Sequence, residues 1–244
     1  PVDRSGGRQQ KKQRLPGRTK AALGILLVLL PLTLYMGIRT GHYNIASILI
    51  LLECMLPFFL VFEGRKPKPR ELVVIAVLCA IGVAGRAAFF MLPQFKPVLA
   101  LTIIAGVAMG SETGFLVGAV TMLVSNMLFS QGPWTPWQMF AMGISGFLAG
   151  LLFRTGAIPP KRVLLSIYGG LTAIIIYGGI MNPAAALIWA GSSINWKMIV
   201  SYYVSGFPMD CVHAFATIVF LLIAAEPVIE KLERMKIKYG MLEP

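Results

Sequence analysis

The sequence predicts an all-α protein, a polytopic helical bundle set in a membrane, and three observations carry that prediction. Hydrophobic residues make up 57% of the 244 residues and charged residues only 13%, where a soluble domain carries about 25% charged. Half of the usual solvated surface is therefore missing. Apolar runs near the length that spans a bilayer, about 20 residues each, follow one another with short connections. The net charge of +12 is the third. A basic excess is one mark of nucleic-acid binding, but in a polytopic chain it is what cytoplasmic loops contribute when they fix orientation, so nucleic acid is excluded as a partner.

Eight spans are expected, at about 21–38, 44–62, 72–92, 97–110, 113–129, 137–153, 163–181 and 207–229. The first follows a basic tail, residues 1–20. Its 18 apolar residues exceed a signal-peptide core and no A-x-A site follows, so a retained first span is expected. Between Thr113 and Phe153 there is no charge, and the division into two spans rests on the breaker cluster Gln131-Gly132-Pro133-Trp134-Thr135-Pro136. The stretch from Asn182 to Gly206 is too long for a turn and too polar for a span. It is expected to form an interfacial loop or short helix, with Trp189, Trp196, Tyr202 and Tyr203 at headgroup depth. Of the 22 Lys and Arg residues, 18 fall on one side of this arrangement, which places both termini in the cytoplasm.

Cys54, Cys79 and Cys211 all lie in apolar stretches and are odd in number, which points to buried hydrophobes rather than a disulfide framework or metal centre. Glycine recurs at helical spacing, at Gly106, Gly110, Gly114 and Gly118 and again at Gly143, Gly146 and Gly150. Small residues four apart let helix backbones approach closely in lipid. No Lys-Ser/Thr ending follows, so this is packing and not a phosphate loop.

The third span places Ala76, Ala80, Ala84 and Ala88 four residues apart. Each step of four turns a helix by about 400°, so the alanines form one slowly drifting stripe suited to a close helix contact, within this chain or with another subunit. Arg86 faces away from the stripe and lies near the outer end of the span. An intramembrane Arg is either functional or a snorkelling anchor. Asp210 starts the last span from the same side, with His213 a turn deeper on a neighbouring face. Pairing of Asp210 with Arg86 is expected over acid–base catalysis, since no nucleophile or third metal ligand accompanies Asp210 and His213. Glu53, in the second span, has no evident partner.

The densest constellation runs from Asn126 through Gln131, Trp134 and Trp137 to Gln138. Two prolines stiffen the turn, and its indoles and amides suit a sizeable uncharged organic ligand; the alternative is an aromatic belt at the membrane surface. Pro93-Gln94-Phe95-Lys96-Pro97 is a second proline-braced turn on the same side.

The string Gly85-Arg-Ala-Ala-Phe-Phe-Met-Leu-Pro-Gln-Phe-Lys-Pro-Val, with Gly114-Phe-Leu-Val-Gly and Gln131-Gly-Pro-Trp-Thr-Pro-Trp-Gln-Met, resembles the substrate-binding S components of energy-coupling factor (ECF) vitamin transporters, particularly the group associated with cobalamin uptake. The resemblance covers roughly residues 70–230. It implies a six-span substrate-binding core over residues 72–230, preceded by the basic tail (1–20) and by two additional N-terminal spans with a basic loop (21–71), and followed by a cytoplasmic tail (231–244). It implies that Ala76, Ala80, Ala84 and Ala88 dock on a transmembrane T subunit driven by two ATPase subunits, which favours an intersubunit contact for the stripe. The substrate would be a vitamin, cobalamin or a related corrinoid, captured outside by Arg86, Phe95, Lys96, Asn126, Gln131, Trp134, Trp137, Gln138, Asn182 and Asp210. No catalytic residue, metal or resident cofactor is implied, and the chain is expected to be no enzyme. Two rivals are a membrane-embedded enzyme using Asp210 and His213, and a self-sufficient ion- or proton-coupled carrier using Arg86, Asp210 and Glu53.

Overall fold

The computed structural model describes residues 28–240, apart from 30, 34, 38, 65, 191 and 192. The basic tail 1–20 and the start of the first expected span lie outside the described residues. Helical residues between 28 and 40 lead into eight α-helices: α1 (Tyr43–Gly64), α2 (Pro69–Ala88), α3 (Val98–Met109), α4 (Ser111–Phe129), α5 (Thr135–Ala149), α6 (Arg162–Leu171), α7 (Gly179–Ala190) and α8 (Trp196–Tyr239). Wide π-helical turns extend α5 over Gly150–Arg154 and join α6 to α7 over Thr172–Gly178. Six of the described helical segments are long and apolar enough to cross a membrane, and α3 is a shorter apolar helix. The chain is a polytopic helical membrane bundle.

Glycine sets the tightest packing. A Cβ on Gly114 would stand 2.5 Å from the Gly146 carbonyl oxygen and 2.6 Å from Gly106 Cα, and one on Gly146 would stand 2.5 Å from the Gly114 oxygen. Three backbones, those of α3, α4 and α5, therefore meet at van der Waals contact, the use expected of small residues at helical spacing in lipid. The other side of the α4–α5 pair carries α1. Phe58 stacks on Phe115 at 4.0 Å between ring centroids, and Phe115 fits there because its ring lies against Gly143. This N-terminal helix is part of the packed bundle. Glu53 finds a partner in it, accepting a 2.7 Å hydrogen bond from Thr33.

The basic end of the bundle is tied down by cations on a helix C-terminus, where they complement unpaired carbonyls and the helix dipole. Arg154 and Lys236 both donate to the Ala108 carbonyl, at 3.1 and 2.7 Å. Among the described residues no cluster of three or more His, Cys, Asp or Glu could hold a metal ion, and the three cysteines are free thiols.

The stretch from Asn182 to Gly206 is mostly helix rather than an interfacial loop. Helix α7 continues through Pro183 to Ala190, and α8 begins at Trp196. Two interactions offset the polarity that argues against a span there. Asn182 donates 2.8 Å to Asp210, and the Asn195 side chain caps α8 by accepting from the Met198 amide at 3.0 Å, as a helix N-cap does. Trp189 and Trp196 flank the short break and are both exposed.

Candidate functional site

Helix α2 begins after the basic 66–68 connection and ends, about 30 Å of rise later, at Ala88. At that far end the chain turns back through 89–97 into α3. Gln94 in this turn adopts φ +54°, a left-handed conformation that costs a non-glycine residue roughly 1–2 kcal/mol. The turn is held by Lys96, whose ammonium donates to the Phe89 carbonyl at 2.7 Å and to those of Phe90 and Leu92. Burial, together with the nearby Arg86 guanidinium, holds the Lys96 ammonium below its ordinary pKa.

Beneath the turn lies a cavity of about 130 Å³ whose polar lining is Arg86, Gln94, Lys96, Gln138, Tyr177 and His213. Val98, Met122 and Met142 close its apolar side. Six helical segments contribute, and one of them is the π-helical stretch that carries Tyr177. Such irregular turns are often found at functional sites. Tyr177 meets the His213 ring edge to face at 4.7 Å. His213 is buried, and its Nδ1 has no hydrogen-bond partner.

Arg86 is anchored by α4. Its Nη1 donates to Ser125 Oγ and to Asn126 Oδ1, each at 2.6 Å, and the guanidinium lies over the Phe129 ring at 5.9 Å. Asn126, fully buried, is the hub of this network. Its Nδ2 donates to Thr135 Oγ1 at 2.9 Å and to Gln138 Oε1 at 2.7 Å, and Thr135 in turn donates to Gln131 at 2.7 Å. The polar network at the α4–α5 junction thus positions Arg86 and Gln138, which line the cavity, through Asn126, Gln131 and Thr135, which do not.

The expected ion pair between Arg86 and Asp210 is absent. Asp210 belongs to a different opening. It accepts from Asn182, packs against Gly178 with a carboxylate oxygen 2.6 Å from where a Cβ would stand, and lines an apolar groove with Ile174, Ile175, Tyr203, Val204 and Phe207. Among the described residues no hydrogen bond joins Asp210 to His213. Of the ten residues expected to capture the substrate, Arg86, Lys96 and Gln138 line the cavity. Phe95 packs against Phe89 and Phe220 behind the turn, at 5.8 and 5.5 Å. Trp134 folds over Gly132, where a Cβ would stand 2.4 Å from the indole, and Trp137 buries an Nε1 with no partner.

Gln94 and Tyr177 complete the polar lining with His213, which the sequence offered only as a partner of Asp210 in an enzyme. A lone His on an apolar helix was the available signal for His213, whereas nothing in the run of Ile residues before Tyr177 marks it. The alanine stripe lies on the outer surface of α2: Ala76, Ala80, Ala84 and Ala88 are all exposed, alongside Val73, Val77 and Ile81.

A UPF0397 protein of Vibrio atlanticus is 29% identical to this chain over 122 residues, which cover 45% of the chain and 66% of the relative. The chain thus spans just under two thirds of that curated relative's length. No solved structure matches it. The profile of the ECF-type riboflavin transporter S component matches residues 66–230, which take in α2 to α7, nearly all of α8 and the whole cavity lining, and the chain belongs to that family.

Proposed function

We propose that the protein is the membrane-embedded substrate-binding subunit of an ECF-type importer, which captures a vitamin on the outer side and passes it inward together with a T subunit and two ATPase subunits. One observation carries the reading: within the family-matched core, a polar cavity is closed by the 89–97 turn at the end of α2 opposite the basic 66–68 loop. If that loop is cytoplasmic, as the distribution of Lys and Arg favours, the cavity faces outward and both termini lie inside. The exposed alanines of α2 supply the surface for the T subunit, since small side chains let two helix backbones approach. Because the family is one of transporter subunits, the enzyme reading of Asp210 and His213 is set aside.

The substrate we propose is cobalamin or a related corrinoid, on the strength of the Phe95-Lys96-Pro97 and Gly132-Pro133-Trp134-Thr135-Pro136-Trp137 segments. Riboflavin is the second reading, favoured by the description of the matching family. Either molecule exceeds a cavity of about 130 Å³, well under the roughly 300–1,000 Å³ of ordinary ligand pockets, so binding of either requires the 89–97 turn to move. The test is mass spectrometry of small molecules that co-purify with the detergent-solubilised chain, followed by titration with cobalamin and with riboflavin. A stoichiometric corrinoid or flavin supports the reading. A chain that binds neither and recovers no vitamin contradicts it.

A further inference from the structure

We infer that the cavity takes an acidic group, a carboxylate or a phosphate, of its ligand on the free edge of the Arg86 guanidinium. The inference rests on the vitamin-capture reading and adds the charge class of the substrate.

The argument begins with a count of donors. A guanidinium carries five N–H bonds in a rigid fork. Both hydrogens on Nη1 are spent on Ser125 and Asn126, while among the described residues the Nε and Nη2 edge has no acceptor. That edge has the geometry that accepts two parallel bonds from one carboxylate or phosphate. Charge comes next. Arg86 and Lys96 both line the cavity, no Asp or Glu lines it, and among the described residues no carboxylate lies within ion-pair distance of either cation. A cation at membrane depth is costly and is usually paired, and here the protein supplies the cation without the counter-charge. The Lys96 ammonium is bonded to three carbonyls of the turn, so it contributes field rather than a direct contact.

A second observation, independent of Arg86, points to a ligand. His213 is 4% exposed, lines the same cavity, and leaves Nδ1 without a partner. Buried polar atoms are nearly always satisfied, so an unpartnered nitrogen on a cavity-lining side chain marks a group left over for a ligand to satisfy once the site opens. Arg86 on α2 and His213 on α8 line the same cavity from two different helices.

The test uses the full chain in detergent and matched pairs that differ in charge: riboflavin 5′-phosphate with riboflavin, biotin with biotinamide, and cobyric acid with its amide. Affinity is read from ligand-induced thermal stabilisation. In at least one pair the acid should bind about thirtyfold more tightly than its neutral partner, the factor equivalent to about 2 kcal/mol. Whether the phosphate or the carboxylate pair responds identifies the acid. Arg86→Gln should remove that preference, while Arg86→Lys, which keeps charge without the fork, should retain part of it. Unliganded melting reports whether each variant folds, and if Arg86→Gln does not, the loss of affinity in Arg86→Lys carries the test. The inference is overturned if no acid binds, if neutral partners bind as tightly as acids, or if the folded Arg86 variants bind acids as wild type does. Tight binding of neutral riboflavin would overturn the charge assignment and leave vitamin capture standing, whereas failure of the wild-type chain to assemble with a T subunit and ATPases would overturn vitamin capture itself.

Discussion

Replacing Asn126 with alanine should destabilise the bundle more than any other single polar truncation near the cavity. Asn126 is fully buried and makes three hydrogen bonds: one accepted from Arg86 at 2.6 Å, and two donated to Thr135 and Gln138 at 2.9 and 2.7 Å. Hydrogen bonds between membrane helices average about 0.6 kcal/mol and reach about 1.7, whereas bonds to a charged group are worth roughly 1.5–3. Two bonds on the first scale and one on the second give a loss of about 3–4 kcal/mol. Ser125→Ala, which removes one bond to Arg86 and leaves the hub intact, should cost less, about 1.5–3 kcal/mol. The assay is thermal or denaturant unfolding of the purified chain in one detergent, with both variants beside wild type. An Asn126→Ala variant within about 0.5 kcal/mol of wild type, the range of an ordinary surface substitution, would refute the view that this amide organises the site.

Three further outcomes are expected. Leucine at Ala80 or Ala84 should prevent co-purification with a T subunit and ATPases while leaving the melting temperature and ligand affinity of the isolated chain unchanged, because the stripe is exposed; loss of ligand binding with assembly intact would make the stripe an internal contact. Gly146→Ala should lower stability by about 1–3 kcal/mol, the cost of overpacking, since its new Cβ would stand 2.5 Å from the Gly114 oxygen and 2.6 Å from Thr102 Cγ2; the same substitution at Gly179, where nothing lies within 4 Å of a Cβ, is the control. Trp134→Ala should weaken ligand affinity by about thirtyfold, some 2 kcal/mol, if the indole joins the site when the ligand enters, with tryptophan fluorescence as the readout; unchanged affinity would reduce it to an anchor on Gly132.

The spans were legible because lipid imposes one rule, a long apolar run for each crossing, and the runs are plain in the sequence. The glycine spacing likewise announced the close α3–α4–α5 packing. What polarity concealed was α7 and the start of α8. Asn182 looks like a reason to leave the membrane until Asp210, 28 residues away, is seen to accept its amide hydrogen. Arg86 was legible as a candidate but its partners were not. The rotation of α2 against α4 brings Ser125 and Asn126 under the guanidinium, while Asp210 faces the groove beside Gly178 and Asn182. Which face of a helix meets which neighbour depends on tertiary packing, and an apolar sequence carries little record of it. For the same reason Tyr177 went unmarked, since its place in the cavity depends on the π-helical stretch that contains it.

We propose a division of labour in which this chain captures a vitamin and its partner subunits supply the energy to move it. It is tested most directly by reconstituting the full chain into vesicles, alone and together with a T subunit and two ATPases, and measuring accumulation of labelled cobalamin and of labelled riboflavin. We expect no uphill uptake by the chain alone under any ion or proton gradient, and uptake that appears with the complete module and depends on ATP hydrolysis. Gradient-driven accumulation by the chain alone would contradict it and would make the protein a self-sufficient carrier.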